Sequence, residues 1–490
     1  MKFLRALFFC SLALFAVTRA QVINFDQYFL DQTMRIDYFH IGDSSSEIVT
    51  IDHIYQYGTW AGSLKNLIDN FDNGAYYYKI YDSASDNLIY SIGFDSYFKE
   101  YQTSDEAAKG IKRTFHESAI IPFPKNKIKF VLEKRDKQNK LNEVFSTEID
   151  PADLYIIKNS LRDKSVRVYR PHFSGNPHQK VDVVILGDGY TAKDQKKFEK
   201  DLKRYTDILI NHKPFKKHKD KFNIYGVFKA SIESGIDEPG ANIYKNTTLS
   251  TTFYSLGSER YILTEDNKAM RNLASHVPYD AIYIMCNTPR YGGGGIYNFY
   301  STFVSDNQFS PYVFLHEFGH SFGGLADEYY TSEVAYNDFY TAWLEPVEPN
   351  ITRALDTKNI KWKEYLSPEI DVPTKWEKEN FDKMDLIWQK ERRELNKKIA
   401  ELKRSRASQQ EIDNLQNEYN KKDKLRSSEV DEYLKKSKYW NKVGVFEGAG
   451  YSSSGMYRSM MDCLMFSKGT KPFCKICEAH IVKVINHFSE

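Results

Sequence analysis

The stretch HEFGHSFGGLADEYY, residues 316–330, limits what this chain can build more than any other part of it. Four residues advance a helix by one turn plus about 40°, so His316 and His320 share a face. Two imidazoles there can occupy two corners of a tetrahedral zinc site, and Glu317 can reach a water on the open corner. Zinc brings the pKa of such a water down to about 7, where a neighbouring carboxylate can take its proton. The apolar residues 312–315 ahead of the motif suit a buried helix, and Gly323–Gly324 behind it suit a helix end. The expectation is one catalytic Zn2+ held by His316 and His320, with Glu317 as general base.

A third protein ligand has to follow. In the metzincin pattern a glycine three residues after the second histidine ends the helix, and the ligand comes three residues later. Gly323 fits that glycine, but the ligand position falls on Ala326, and the carboxylates arrive just afterwards as Asp327 and Glu328. A turn one residue longer, eased by Gly324, brings Asp327 to the metal. A helix that continues through the glycines favours Glu328 instead. Glycine disfavours such continuation, so Asp327 is the expected third ligand and Glu328 the alternative.

Around this motif the chain reads as multidomain α/β (α+β). Lys2 and Arg5, the apolar residues 6–17 and a small-x-small site at Thr18–Ala20 predict a signal peptide over 1–20. The protein is then exported, to periplasm, cell surface or medium, and no later run is long enough to span a membrane. Formal charge is +2, and three of the basic residues, Lys2, Arg5 and Arg19, lie in the leader. A mature chain so close to neutral gives no reason to expect nucleic-acid binding. Residues 21–150 read as a β-sandwich: the aromatic runs on either side of 82–87 predict a hairpin, and 128–136 alternates like a strand. Proline and polar turn residues suggest a linker over 151–178.

The catalytic domain is expected over 179–490. VDVVILGDGYT (181–191) reads as a buried strand, the next twenty residues as a helix capped by Thr191, and 222–232 and 279–287 as further strands. After GGGG (292–295), residues 296–305 read as one strand leading to the metal helix. Between 376 and 437 charge dominates, and apolar residues fall near heptad spacing on both sides of a break at 405–409. A capping box, Ser408 with Glu411, restarts the second half, so an antiparallel helical hairpin is predicted.

HEFGHSFGGLADEYY resembles the active-site signature of the IgA-peptidase family of zinc metallopeptidases, peptidase family M64. VDVVILGDGYT, ASIESGIDEPG (230–240), GGGGIYNFYSTFVS and SMMDCLMFSKGTKPFCKIC (459–477) resemble other segments of that family, as does the β-rich region ahead of them. The resemblance implies a metzincin-like catalytic domain behind an N-terminal β-sandwich, with the hairpin as an addition. It also implies a methionine turn beneath the zinc at Met460 or Met461, where a flexible thioether packs without competing for metal. Tyr457 is a candidate oxyanion stabiliser, in competition with Tyr329 and Tyr330. Gly294, Gly295, Ile296 and Tyr297 form a candidate edge on which an extended substrate can pair.

Four cysteines lie beyond the leader. Cys463, Cys474 and Cys477 can be combined with His480 into a second zinc site, but export favours a disulfide from Cys463 to one of the other two. The expected activity is zinc-dependent endopeptidase action on protein or peptide substrates, with a glycan or protein ligand for the sandwich. The competing reading is a degenerate peptidase fold that serves as an exported binding module.

Overall fold

The computed structural model describes residues 23–158, 162–331 and 340–490. The expected signal peptide lies outside these residues. Two sheets make up the N-terminal domain. One has the order β2-β1-β5, from Phe29–Gly42 (β1), Glu47–Tyr57 (β2) and Arg113–Pro124 (β5). The other is β4-β3-β6-β7, from Tyr76–Asp82 (β3), Leu88–Phe94 (β4), Ile128–Arg135 (β6) and Leu141–Ile149 (β7). The side-chain period of two sends Tyr76, Tyr78 and Ile80 to one face of β3, against Met34, Ile36 and Tyr38 from the facing sheet. Tyr38 and Tyr78 join their hydroxyls across this core at 3.0 Å. The predicted hairpin is present, with Tyr76 opposite Phe94 and Ser85 donating to Asp82 in the turn.

The catalytic sheet has the order β12-β13-β11-β9-β10-β8. Its strands are Arg167–His172 (β8), Val181–Asp188 (β9), Phe222–Phe228 (β10), Ala281–Cys286 (β11), Gly293–Ile296 (β12) and Tyr300–Val304 (β13). The inner four are parallel, and β8 and β12 run antiparallel at the two edges. Central parallel strands are covered on both faces, which is why Val183–Leu186 of β9 are apolar without alternation and the whole strand is buried. β8 lies within the stretch expected as linker and pairs with β10 instead. Residues 296–305, expected as one strand, are divided: Asn298, at φ +50°, turns the chain, so β12 and β13 form a hairpin.

One face of this sheet carries the helix Gln195–Asn211, the metal helix Ser310–Ser321 and the C-terminal helix Lys475–Ser489. On the other face Val184, Leu186 and Ile284 pack in one cluster with Tyr97, Phe98 and Phe115 of the N-terminal domain. The sandwich therefore shares a core with the catalytic sheet. A third sheet, β14-β16-β15, joins Ile351–Thr352 (β14), Val443–Ala449 (β15) and Ser452–Met460 (β16).

The insert is an antiparallel pair of helices, Lys378–Arg404 and Gln409–Lys435, each about 40 Å long at 1.5 Å per residue. The Ser408–Glu411 capping box starts the second helix as its sequence requires. Leu395, Ile399 and Tyr419 close the seam, and Phe381, Val430 and Leu434 tie the base to the catalytic core. Lys403 reaches Glu238 at 2.8 Å, so the far end lies along the catalytic domain. Among the described residues no helix is long and apolar enough to cross a membrane.

Candidate active site

Phe314 and Phe318 lay the metal helix on Tyr283 and Phe303 of the sheet, which explains the apolar run ahead of the histidines. Beyond the helix, the left-handed turn is made at Gly324 rather than Gly323: Gly324 has φ +56°, the conformation that glycine adopts without steric cost. Its amide still donates to the His320 carbonyl at 2.9 Å before the chain turns back. With the turn at that position, one residue later than the pattern expects, Asp327 rather than Ala326 comes back to the histidines.

Three ligand atoms then converge. His316 Nε2 and His320 Nε2 are 3.1 Å apart, and Asp327 Oδ1 is 3.0 Å from the first and 3.2 Å from the second. Ligands 2.0–2.1 Å from a tetrahedral zinc stand about 3.3 Å from one another, so the set fits the ion within a few tenths of an ångström. The outer contacts fix the tautomers. His316 Nδ1 donates to the Leu464 carbonyl at 3.0 Å and His320 Nδ1 to the Leu325 carbonyl at 2.6 Å, which turns both Nε2 lone pairs inward. Burial lowers the His320 pKa, but the Asp327 carboxylate outweighs it and raises it to about 9. Asp327, although buried, is held far below the usual carboxylate range by the two imidazoles. Its Oδ2 accepts from the Tyr451 hydroxyl.

Glu328 points away from this centre. Its Oε1 lies 3.3 Å from Cys477 Sγ and accepts from Asn350 Nδ2 at 3.1 Å. The same Asn350 holds both sides of the turn, accepting from the Ala326 amide and donating to the Ala326 carbonyl, each at 2.8 Å.

The glycine run has a steric reason. β12 passes so close over the metal helix that a Cβ on Gly293 would lie 2.5 Å from Val313 Cγ1, and one on Gly295 2.6 Å from the Glu317 carbonyl oxygen. These phantom atoms also stand 3.2 Å from the Glu317 carboxylate oxygens, so the carboxylate lies directly under the strand. Burial pushes the Glu317 pKa up, and His316 and His320 partly offset this. The candidate pairing edge is shorter than expected. The outward groups of Gly293 are already bonded to Arg260 and Ile262, and Tyr297 lies beyond β12, its carbonyl accepting from Asp95. Since alternate residues face the same edge, Gly295 is the next outward-facing position.

His316, Glu317, His320 and Asp327 open into a cleft of ≈ 860 Å³. Its walls come from three parts of the chain: Lys99, Lys134 and Arg135 of the sandwich, Arg260 and Tyr261 of the catalytic domain, and Trp388, Asp423 and Arg426 of the hairpin.

Other expectations are corrected. Met465 packs against the metal helix, its Sδ 2.6 Å from where a Cβ on Gly319 would lie; Met460 ends β16 opposite Val443, and Met461 is buried in the same core. Three methionines in SMMDCLM left the sequence reading to choose by pattern, and it passed over the third. Tyr457 pairs with Glu447 and Thr352 in the small sheet and does not line the cleft. Tyr329 and Tyr451 do line it, and Tyr329 stacks parallel to His316 at 6.2 Å. Tyr330 is turned to Asp382 instead, at 2.7 Å. Tyr451 was missed because its signal, a tyrosine in a tight turn 124 residues after Asp327, becomes visible only once β15 and β16 pair. Among the described residues no disulfide is formed: Cys286, Cys463, Cys474 and Cys477 are free thiols. The cluster around Cys463, Cys474 and Cys477 is completed by Glu328, not His480.

A parallel sheet with an antiparallel edge strand beside a helix of paired histidines defines a metallopeptidase. Residues 172–485 match the family model described as IgA Peptidase M64, and residues 24–146 match Peptidase M64 N-terminus. The chain belongs to this peptidase family. Among curated proteins there is no match.

Proposed function

We propose that the protein is an exported zinc endopeptidase in which His316, His320 and Asp327 hold the ion and Glu317 acts as general base. The convergence of the three ligand atoms within 3.0–3.2 Å of one another carries this reading. Zinc bound there supplies a Lewis acid that polarises a peptide carbonyl and acidifies a water. Glu317, lying under β12, takes the proton of the attacking water and passes it to the leaving amine. Gly295 offers backbone groups to an extended substrate, as the edge of a sheet does for an added strand. Tyr329 lies on the cleft wall beside His316, where its hydroxyl can donate to the developing oxyanion, while Tyr451 donates to Asp327 Oδ2. The sandwich, through Lys99, Lys134 and Arg135, grips the protein substrate along the same cleft.

The test is hydrolysis of unfolded casein together with zinc content, on wild type, Glu317→Gln and Asp327→Ala. Glu317→Gln is expected to keep its metal and lose turnover by about 10²–10⁴-fold. Asp327→Ala is expected to lose one zinc equivalent together with turnover. A folded wild type without proteolysis when zinc is supplied would overturn the reading.

A further inference from the structure

Outside the cleft, the most unusual chemistry in the molecule is a buried group of three thiols and one carboxylate. Cys463, Cys474, Cys477 and Glu328 are all at most 4 % exposed, and one ligand atom from each lies within 4.8 Å of every other. The distances match a metal's coordination sphere. Thiolates 2.3 Å from a tetrahedral zinc stand about 3.8 Å apart, and a thiolate and a carboxylate oxygen about 3.5 Å apart. Here Cys463 Sγ is 3.8 Å from Cys477 Sγ, and Glu328 Oε1 is 3.3 Å from Cys477 Sγ and 3.8 Å from Cys474 Sγ.

Backbone groups are arranged for anionic sulfur. The amides of Met465 and Cys474 donate to Cys463 Sγ at 3.4 and 3.1 Å, and the Cys477 amide donates to Cys474 Sγ at 3.4 Å. Cys474 is also the N-cap of the C-terminal helix Lys475–Ser489, an end that favours a thiolate. Two buried groups lack their complement. Glu328 Oε2 has no hydrogen-bond partner. Arg458 is fully buried; its guanidinium donates to the carbonyls of Glu447, Gly448 and Met461 and makes no direct ion pair among the described residues, with Glu328 and Asp462 attracting it from farther off. An unpaired buried cation is costly. A thiolate-rich centre two residues from Met461 would give it a counter-charge.

We propose that Cys463, Cys474, Cys477 and Glu328 form a second metal site, closed and structural, that takes one Zn2+. Four protein ligands with no route to solvent leave no open position for chemistry. Binding displaces whatever protons the thiols and the Glu328 carboxyl carry and leaves three thiolates and one carboxylate as ligands. The site fastens two segments that serve the cleft. Glu328 follows Asp327 directly, and its amide donates to the Met465 carbonyl at 2.9 Å. Cys463 precedes Leu464, whose carbonyl orients His316. The second ion thus holds Asp327 and the His316 tautomer in register from behind.

The full-length chain, purified and stripped of metal, is titrated with Co2+ and followed by absorption, because thiolate-to-cobalt charge-transfer bands in the near ultraviolet arise from cysteine ligands and not from His or Asp. The expected result is such bands in wild type, displaced by one equivalent of Zn2+. They should persist in the His316→Ala/His320→Ala variant and weaken in Cys463→Ser and Glu328→Gln. Denatured with chelator, the protein should show all four of its described cysteines as thiols. Absence of the bands in folded wild type would overturn the site, as would a mass lower by two hydrogens from a disulfide within the cluster. Casein hydrolysis without the bands would overturn this site and leave the peptidase reading standing. Bands without hydrolysis would do the reverse.

Discussion

Asn73, just ahead of β3 in the N-terminal sandwich, donates its side-chain amide to the carbonyl of Gly324, the residue that turns the chain beyond the metal helix, at 2.9 Å. The two are 251 positions apart in the chain. Through this bond the sandwich acts on the turn that returns Asp327 to the histidines. Asn73 also explains why position 324 admits no side chain: a Cβ there would lie 2.1 Å from Asn73 Nδ2 and 2.8 Å from the Tyr297 ring.

Asn73→Ala leaves the buried Gly324 carbonyl without its donor, a loss on the order of 1–3 kcal/mol. Part of that loss is expected to appear as weaker zinc retention, by roughly tenfold, because the turn and the ligand move together. Competition with a chromogenic chelator measures it. Retention equal to wild type would show that the sandwich merely abuts the turn.

Gly295→Ala tests the close approach of β12. The added carbon would lie 2.6 Å from a backbone oxygen of the metal helix, which cannot swing aside as a side-chain tip can. The strand must lift, and a displacement of about 1 Å in a positioning element costs on the order of 10²-fold in turnover. Zinc content should be unchanged, since the ligands sit on the helix and the turn. Loss of metal alongside turnover would show that β12 supports the ligands themselves.

Local rules made much of the architecture legible in the sequence. The histidine pair, the apolar run before it, the apolar Val183–Leu186 of β9 and the Ser408–Glu411 capping box each depend on neighbours within a few residues, and each is found where those rules place it. What the sequence could not supply were contacts that only the folded topology creates. Which carboxylate returns to the histidines follows the turn at Gly324, the glycine with positive φ, whose carbonyl is held by Asn73 from another domain. Met465 rather than Met460 meets the helix because β16 runs on to Met460 before the chain turns. His480 has the spacing of a fourth ligand to the cysteines, but its ring packs against Phe71, and Glu328 arrives from 135 residues earlier than Cys463 in its place.

Asp182 gives stability a specific pH dependence. It is buried beside Asp280, whose Oδ2 accepts from the Asp182 amide at 2.7 Å. Burial raises its pKa from 3.8 to about 7, with the hydrogen bond from Asn223 acting the other way. A carboxyl raised on folding is protonated in the native state where the unfolded chain has already lost its proton. Its contribution is therefore fully present below the unfolded pKa and is lost as pH rises towards about 7. The slope is on the order of 1 kcal/mol per pH unit within that window. Denaturant unfolding from pH 4 to 8 should show it, and Asp182→Asn should flatten it and be relatively more stable at pH 8. An unchanged profile in that variant would assign the slope to other groups.

The hairpin forms one wall of the cleft. Its near part supplies Trp388, Asp423 and Arg426 to the wall, and its far end is fastened to the catalytic domain by Lys403 on Glu238 and Arg404 on the Gly240 carbonyl. Held this way, it is expected to restrict the cleft to chains that can thread between hairpin and sandwich. Ion pairs near the surface are individually worth up to about 1 kcal/mol, so Lys403→Ala/Arg404→Ala should free the far end without unfolding the domain. Cleavage of a short unstructured peptide should then be unchanged, because the ligands, Glu317 and β12 are untouched. Cleavage of a compact, folded protein should rise, by several-fold, and the ratio of the two rates is the measurement. If both rates fell together, the hairpin would be part of the substrate-binding surface rather than a limit on access to it, and Asp423 and Arg426 would be the side chains to replace next.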